Sequence, residues 1–215
     1  AAMWAYSRRG APSQHAVLLA LGRLYRAQWR SFGPAEAAAA AQALVGSLRP
    51  LPPRVLSAVL KSVSANAAAA PPRVLLSFAA TLKLLGSTVP SDAARAVTEA
   101  AVARREELSL RELEGLLLAL SDEEHPPNLW LQNELTDRLA AERCRMPVAE
   151  LASTLRAVSA ASTSSADMPW MIRDEIGDRM GALRLSEAVA LRGAALAASG
   201  ACDPLVRSLE ERILQ

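Results

Sequence analysis

Aromatic residues are scarce in this chain and cysteine scarcer still. Phe, Trp and Tyr make up 4% of 215 residues although 51% are hydrophobic, so the apolar mass is Ala, Leu and Val, a composition that suits close helix packing better than β-sheet. Cys144 and Cys202 have no metal-like spacing to His15 or His125. They read as ordinary reduced thiols, and neither a disulfide framework nor a zinc site is expected. A membrane-spanning helix needs roughly 18–20 apolar residues; the longest uncharged run, Gly10 to Gly22, has 13. There is no Gly-rich phosphate loop, no H-E-x-x-H and no G-x-S-x-G, so no enzyme and no cofactor are expected. Asp122-Glu123-Glu124-His125 reads as a solvated acidic loop ahead of Pro126-Pro127 rather than a metal cluster.

Acids are missing too, but only from one end. Residues 1–91 hold ten basic side chains against the single acid Glu36, a net of +9, while residues 92–215 hold the other 14 against 21 acids, a net of −7. The first stretch is built to meet a polyanion and the second is not. Lys61 and Lys83 are the only lysines, so the positive charge is nearly all Arg, the better residue for bidentate phosphate contact and for stacking on bases. A GC-rich genome also favours Arg and Ala codons, but it does not account for the asymmetry.

What is present is a repeat. Leu75, Leu113, Leu151 and Val189 lie 38 residues apart and open the apolar triplets Leu75/Ala79/Leu82, Leu113/Leu117/Leu120, Leu151/Leu155/Val158 and Val189/Gly193/Leu196. Ala37/Ala41/Leu44 falls on the same grid, and PPRVL occurs at Pro52 to Leu56 and again 19 residues on. Two helices per 38-residue unit follow. The expected fold is all-α, an α-solenoid of helix pairs in which each unit buries its apolar face on its neighbours. Residues 1–33 read as a basic N-terminal segment with a first helix, and residues 34–215 as the repeat array.

Helices are expected at about 13–30, 35–48, 53–65, 72–86, 91–107, 109–121, 128–143, 147–161, 168–182, 185–199 and 203–214. Ser109 with Glu112 reads as a capping box, Asp203-Pro204 as a helix start, and Gly86 and Gly200 as left-handed caps. Alternate helices end in a second phrase, with Asp137-Arg138, Asp178-Arg179 and Glu211-Arg212 each followed by an apolar residue. These arginines are expected on a wet outer layer.

One constellation carries chemistry. Arg23, Arg26 and Arg30 are spaced i, i+3, i+7, which places them on one helix face beside Leu18, Leu21, Tyr25 and Trp29, with Arg8 and Arg9 upstream. Five of the eight aromatic residues, Trp4, Tyr6, Tyr25, Trp29 and Phe32, fall in this stretch. Arginine interleaved with aromatics suits single-stranded RNA: guanidinium groups for phosphates, rings for unstacked bases. The same residues also fit an amphipathic terminal helix whose Tyr25 and Trp29 pack on the next helix.

Pro147-Val-Ala-Glu-Leu-Ala-Ser-Thr-Leu-Arg-Ala-Val-Ser159 and Leu108-Ser-Leu-Arg-Glu-Leu-Glu-Gly-Leu-Leu-Leu-Ala-Leu-Ser121 resemble the first helix of octotricopeptide and heptatricopeptide repeats, and are similar to the repeats of FAST-kinase-like organellar proteins. The resemblance covers about residues 34–215. It lacks the fuller aromatic and proline signature of the octotricopeptide pattern, and no closing nuclease-like RAP domain is seen, so no nuclease activity is carried over. The resemblance implies a non-catalytic organellar protein that binds RNA or a ribonucleoprotein such as the mitochondrial ribosome, or that takes part in RNA processing. Its location would be the mitochondrion, with the chloroplast as the alternative. The acid-free, Arg- and Ser-containing start is similar to the tail of a transit peptide. RNA is expected on the basic N-terminal half through Arg8, Arg9, Arg23, Arg26, Arg30, Trp29 and Tyr25, and protein subunits on the acidic C-terminal half. The rival expectation is a structural or assembly subunit of a large mitochondrial complex, such as one of the respiratory chain.

Overall fold

Proline, small polar residues and acids cut the chain into helices close to the expected places. The computed structural model describes residues 14–48, 50–86, 91–121, 129–160, 167–199 and 203–214, and among the described residues there are only helices and their connections. The first five helices are α1 (Gln14–Gln28), α2 (Pro34–Ser47), α3 (Pro53–Ala67), α4 (Pro72–Leu85) and α5 (Ser91–Ala103). Six more follow: α6 (Leu110–Leu120), α7 (Leu129–Glu142), α8 (Val148–Ala160), α9 (Asp167–Arg179), α10 (Leu185–Ser199) and α11 (Pro204–Leu214). None of the described helices is long and apolar enough to cross a membrane.

Local chemistry sets the ends. Proline opens α2, α3, α4 and α11, where its fixed φ suits the first turn and its missing N–H is not needed. At α6 the expected capping box forms: the Glu112 N–H donates to Ser109 Oγ at 3.3 Å, and the Ser109 N–H donates to the Glu112 carboxylate at 2.9 Å. Glu36 accepts the Gly33 N–H at 3.1 Å and Glu187 the Arg184 N–H at 2.8 Å, in the same relation. Glu150 occupies that position in α8, but residue 147 is proline and has no N–H to offer. Gly86 closes α4 with φ 60° and ψ −145°, backbone that glycine alone adopts freely, and its N–H donates to the Leu82 and Lys83 carbonyls. Gly200 lies outside the described residues. Where helices were expected to run to 30, 107 and 182, the chain tightens into the 3₁₀ turns Trp29–Ser31, Arg105–Glu107 and Met180–Ala182; Arg143–Arg145 does the same after α7.

The helices form two compact units, Ala1–Leu108 and Ser109–Gln215. In the first, α1 packs on α2 and α3, α2 on α3 and α4, α3 on α4 and α5, and α4 on α5. In the second, α6 packs on α7 and α8, α7 on α9, α8 on α9 and α10, and α10 on α11. Alternate helices thus pack on one another, α1, α3 and α5 beside α2 and α4 in the first unit and α6, α8 and α10 beside α7 and α9 in the second, with α11 against α10. The packing divides the chain at residue 108 and not at residue 33, because α1 shares the first unit's core with α2 and α3: Leu18, Tyr25, Leu44, Leu48, Val55 and Val59 form one buried cluster. Gly22 faces α3, where a Cβ would meet Val55 Cγ2 at 3.4 Å, an ordinary contact.

The repeat triplets are buried at Ala37/Ala41/Leu44, Leu75/Ala79/Leu82 and Leu151/Leu155/Val158, as are Leu113 and Leu117, with Leu120 half-buried. The last triplet is a correction. Val189, Gly193 and Leu196 are exposed, and Ala188, Leu191, Ala194 and Ala195 take the inner face. The interval between the starts of α8 and α10 is 37 residues, and a slip of one residue turns a helix by about 100°.

The phrase-ending arginines are also not a wet layer. Arg179 donates to the Glu175 carboxylate at 2.6 Å and to the carbonyls of Met146 at 2.6 Å and Arg143 at 2.7 Å. Arg212 donates to the Leu183 carbonyl at 3.2 Å, and Arg138 to Glu134 at 2.8 Å. Arg179 and Arg212 reach the carbonyls of the turns that follow α7 and α9, the Arg143 carbonyl accepting the Met146 N–H at 3.2 Å as well.

Candidate functional site

Along the seam of α1 and α3, residues from two helices converge. Arg23 and Arg26 are one turn apart on α1. Arg54 and Lys61 are two turns apart on one face of α3, at i and i+7. Three depressions that share lining residues open there. One of about 500 Å³ is lined by Leu19, Arg23, Arg26, Pro53 and Arg54. The next, of about 450 Å³, has Arg26, Trp29, Arg54, Ser57 and Lys61. The third, of about 820 Å³, is mostly apolar, with Trp29, Pro53, Leu56, Leu60 and Ala93 in its wall and Lys61 and Asp92 as its charged residues. Asp92 is held by Arg95 at 2.7 Å.

The electrostatics of this seam are unbalanced. Arg23, Arg26, Arg30, Arg54 and Lys61 are all exposed, and among the described residues none of the five is paired with a carboxylate. The single acid of the first four helices, Glu36, is engaged by the Gly33 N–H. The first turn of α3 has no acid and no side-chain cap, and it carries Arg54 where the helix macrodipole is already positive. Clustered cations without counter-charges raise the local concentration of anions, and a row of them suits a polyanion.

The expected site residues divide. Arg8 and Arg9 lie outside the described residues. Arg23, Arg26 and Trp29 line the seam, and Arg30, on the 3₁₀ turn after α1, holds its guanidinium 5.3 Å from the centre of the Trp29 ring. Tyr25 is a correction: it is 1% exposed, with its ring 5.5 Å from that of Phe32, so it offers no face to a base. Burial pushes its phenol above the ordinary range, against a smaller lowering by the Ser62 hydroxyl. Along the helix Tyr25 does lie beside the arginines, but on the side that meets the core. Arg54 and Lys61 were missed, although Arg54, Ser57 and Lys61 repeat the i, i+3, i+7 spacing of Arg23, Arg26 and Arg30.

The second unit has buried ionisable groups of another kind. Glu114 on α6 meets the Thr154 hydroxyl of α8 inside the core. Burial raises its carboxyl above the ordinary range; the Thr154 hydrogen bond opposes this, the Glu150 charge adds to it, and the Arg111 charge lowers it again. The Thr154 hydroxyl donates to the Glu114 carboxylate and also lies 3.0 Å from the Glu150 carbonyl one turn earlier on its own helix. For Glu175, burial acts upward but is outweighed by hydrogen bonds from Arg179 and Cys144 and by the charges of Arg179 and Arg143, so its carboxyl lies below the usual range. These groups tie helices together. Among the described residues no cluster of His, Cys, Asp and Glu is placed to hold a metal. No family model matches the chain, and no curated protein matches it.

Proposed function

We propose that the chain is a non-catalytic helical-repeat protein of an organelle, the mitochondrion in the first instance, that binds RNA or a ribonucleoprotein such as the mitochondrial ribosome through the basic seam of α1 and α3. The observation that supports this reading most directly is the convergence of Arg23, Arg26, Arg54 and Lys61, without acidic partners, beside Trp29. Single-stranded RNA demands that combination of fixed positive charge and an aromatic ring. The organelle and the RNA partner follow from the resemblance of the α6 and α8 segments to organellar repeats.

The solenoid belongs to the same reading. Helices α2, α4, α6 and α8 start at residues 34, 72, 110 and 148, and α3, α5, α7 and α9 at 53, 91, 129 and 167, each set at intervals of 38. A regular interval, with alternate helices stacking, is what a helix-pair array requires. In this reading the acidic second unit meets protein subunits.

The test is a titration of the full chain with a short single-stranded RNA across a range of salt. Changing Arg23, Arg26 and Arg54 together to Gln should weaken binding and flatten the salt dependence by about 0.7 in log–log slope for each phosphate no longer neutralised. Changing Arg111, Arg156 and Arg207, exposed on the second unit, should do far less. Equal losses from both sets would show that charge acts without a site. A native assembly free of nucleic acid, with the seam arginines paired to carboxylates of neighbouring subunits, would favour the respiratory-type scaffold instead.

A further inference from the structure

The seam changes character along its length. Two of its depressions are walled by cations, while the third and largest is walled by Leu56, Leu60, Pro53 and Ala93, and Trp29, Pro53, Ser57 and Lys61 belong both to it and to the cationic depression next to it. An RNA duplex keeps its bases stacked inside and offers phosphate and sugar; only an unpaired strand offers bases as well. We infer that the seam takes a single strand with one unstacked base seated in the apolar hollow beside Trp29, while Arg23, Arg26, Arg54 and Lys61 hold the phosphates leading up to it. This deepens the RNA-binding reading and rests on it.

Three features carry the inference. First, a volume of about 820 Å³ lies in the range of pockets that enclose small organic ligands, which run to ~300–1,000 Å³. Second, Trp29 lines the hollow and Arg30 holds its guanidinium 5.3 Å from the centre of the same ring, so a base against the indole also has a cation close by for its own phosphate. Third, among the described residues that line the hollow Lys61 is the one cation and the one acid, Asp92, is paired with Arg95, so the lining is mainly apolar, with the hydroxyls of Ser57 and Ser64 among it. A flat, uncharged heterocycle with polar edges matches that wall.

The test compares three ligands on the full chain: a twelve-residue oligouridylate, a strand of the same length with the bases removed but the sugar–phosphate backbone intact, and a duplex. The oligouridylate should bind about tenfold more tightly than either of the others, the stacking of one base on an aromatic ring. Trp29→Leu should erase that tenfold preference and leave the baseless strand within about twofold. Trp29 also touches the core, so a second variant guards the result: Ala65→Leu, at an exposed position lining the hollow, fills it without altering any charge. It should weaken oligouridylate and leave the salt slope unchanged. Equal affinity for the base-bearing and baseless strands would overturn the base pocket while the phosphate reading stands. Failure to bind any of the three, or binding that Arg26→Gln leaves unchanged, would overturn both.

Discussion

The seam of the first unit and the helix junctions of the second use arginine in opposite ways. On α1 and α3, Arg23, Arg26 and Arg54 are exposed along one seam, and among the described residues none of them is paired with an acid. In the second unit Arg173 pairs with Asp203 at 2.9 Å, Arg192 with Glu210 at 2.7 Å, and Arg179 with Glu175 and two backbone carbonyls. The difference lies in the neighbours. An arginine that reaches a buried carboxylate or a backbone carbonyl serves the fold; one left in water keeps its charge available for a ligand.

The largest expected effect tests the fold beneath this contrast. Leu155→Asp puts an unpaired carboxylate into a fully buried site on α8 and should cost several kcal/mol out of a total of ~5–15, seen as loss of the cooperative transition in chemical denaturation. Retention of near-normal stability would break the assignment of the inner layer. Next, Arg179→Met should destabilise by ~2–4 kcal/mol, because the nearly buried Glu175 loses its closest cation and the Met146 and Arg143 carbonyls lose the guanidinium donors. By contrast, Arg26→Gln should stay within ~0.5 kcal/mol in the same assay while weakening RNA binding. If the two changes cost equal stability, the distinction between structural and available arginines fails.

Acid titration sharpens it further. The Glu175 carboxyl is held below its ordinary range, so its contribution is present above the unfolded value and is lost as pH falls through the folded one. Glu175→Gln should therefore cost stability at neutral pH, and the cost should shrink on acidification. Glu114 is raised, so its contribution is full below the unfolded value and lost as pH rises through the folded one. Glu114→Gln should stabilise at neutral pH, with the gain vanishing in acid; denaturant midpoints across pH would read both, and parallel curves for the two variants would refute the opposed shifts. The smallest effect concerns the corrected register of α10. Gly193 is exposed with open space around it, so Gly193→Ala should stabilise by ~0.5–1 kcal/mol, whereas a buried Gly193 would make the same change harmful.

Most of the helices were legible in the sequence because their ends are written in local chemistry: prolines at first turns, Ser109 with Glu112, and Gly86. The inner faces were legible as long as the interval held at 38, and Val189, Gly193 and Leu196 were misplaced because a single missing residue between α8 and α10 leaves no local mark. Half of the seam was legible. Arg23, Arg26 and Trp29 stand together in sequence, but Arg54 and Lys61 join them only through the packing of α1 on α3, which a one-dimensional pattern does not contain. Tyr25 shows the opposite failure: spacing put it near the arginines, and only its packing against Phe32 in the core decides that it faces inward.

The bonds from Arg179 to the Arg143 and Met146 carbonyls span 36 and 33 residues, and that from Arg212 to Leu183 spans 29. Each bridges one stretch of two helices and no more, so the loop the chain must close before gaining the bond is short, and its entropic cost grows only slowly with length. A topology stitched at such short range has low contact order, and proteins of that kind fold in microseconds to milliseconds rather than waiting for distant segments to meet. While the chain is being synthesised, Arg179 can secure the turn after α7 as soon as α9 has emerged, so the second unit can consolidate one helix pair at a time.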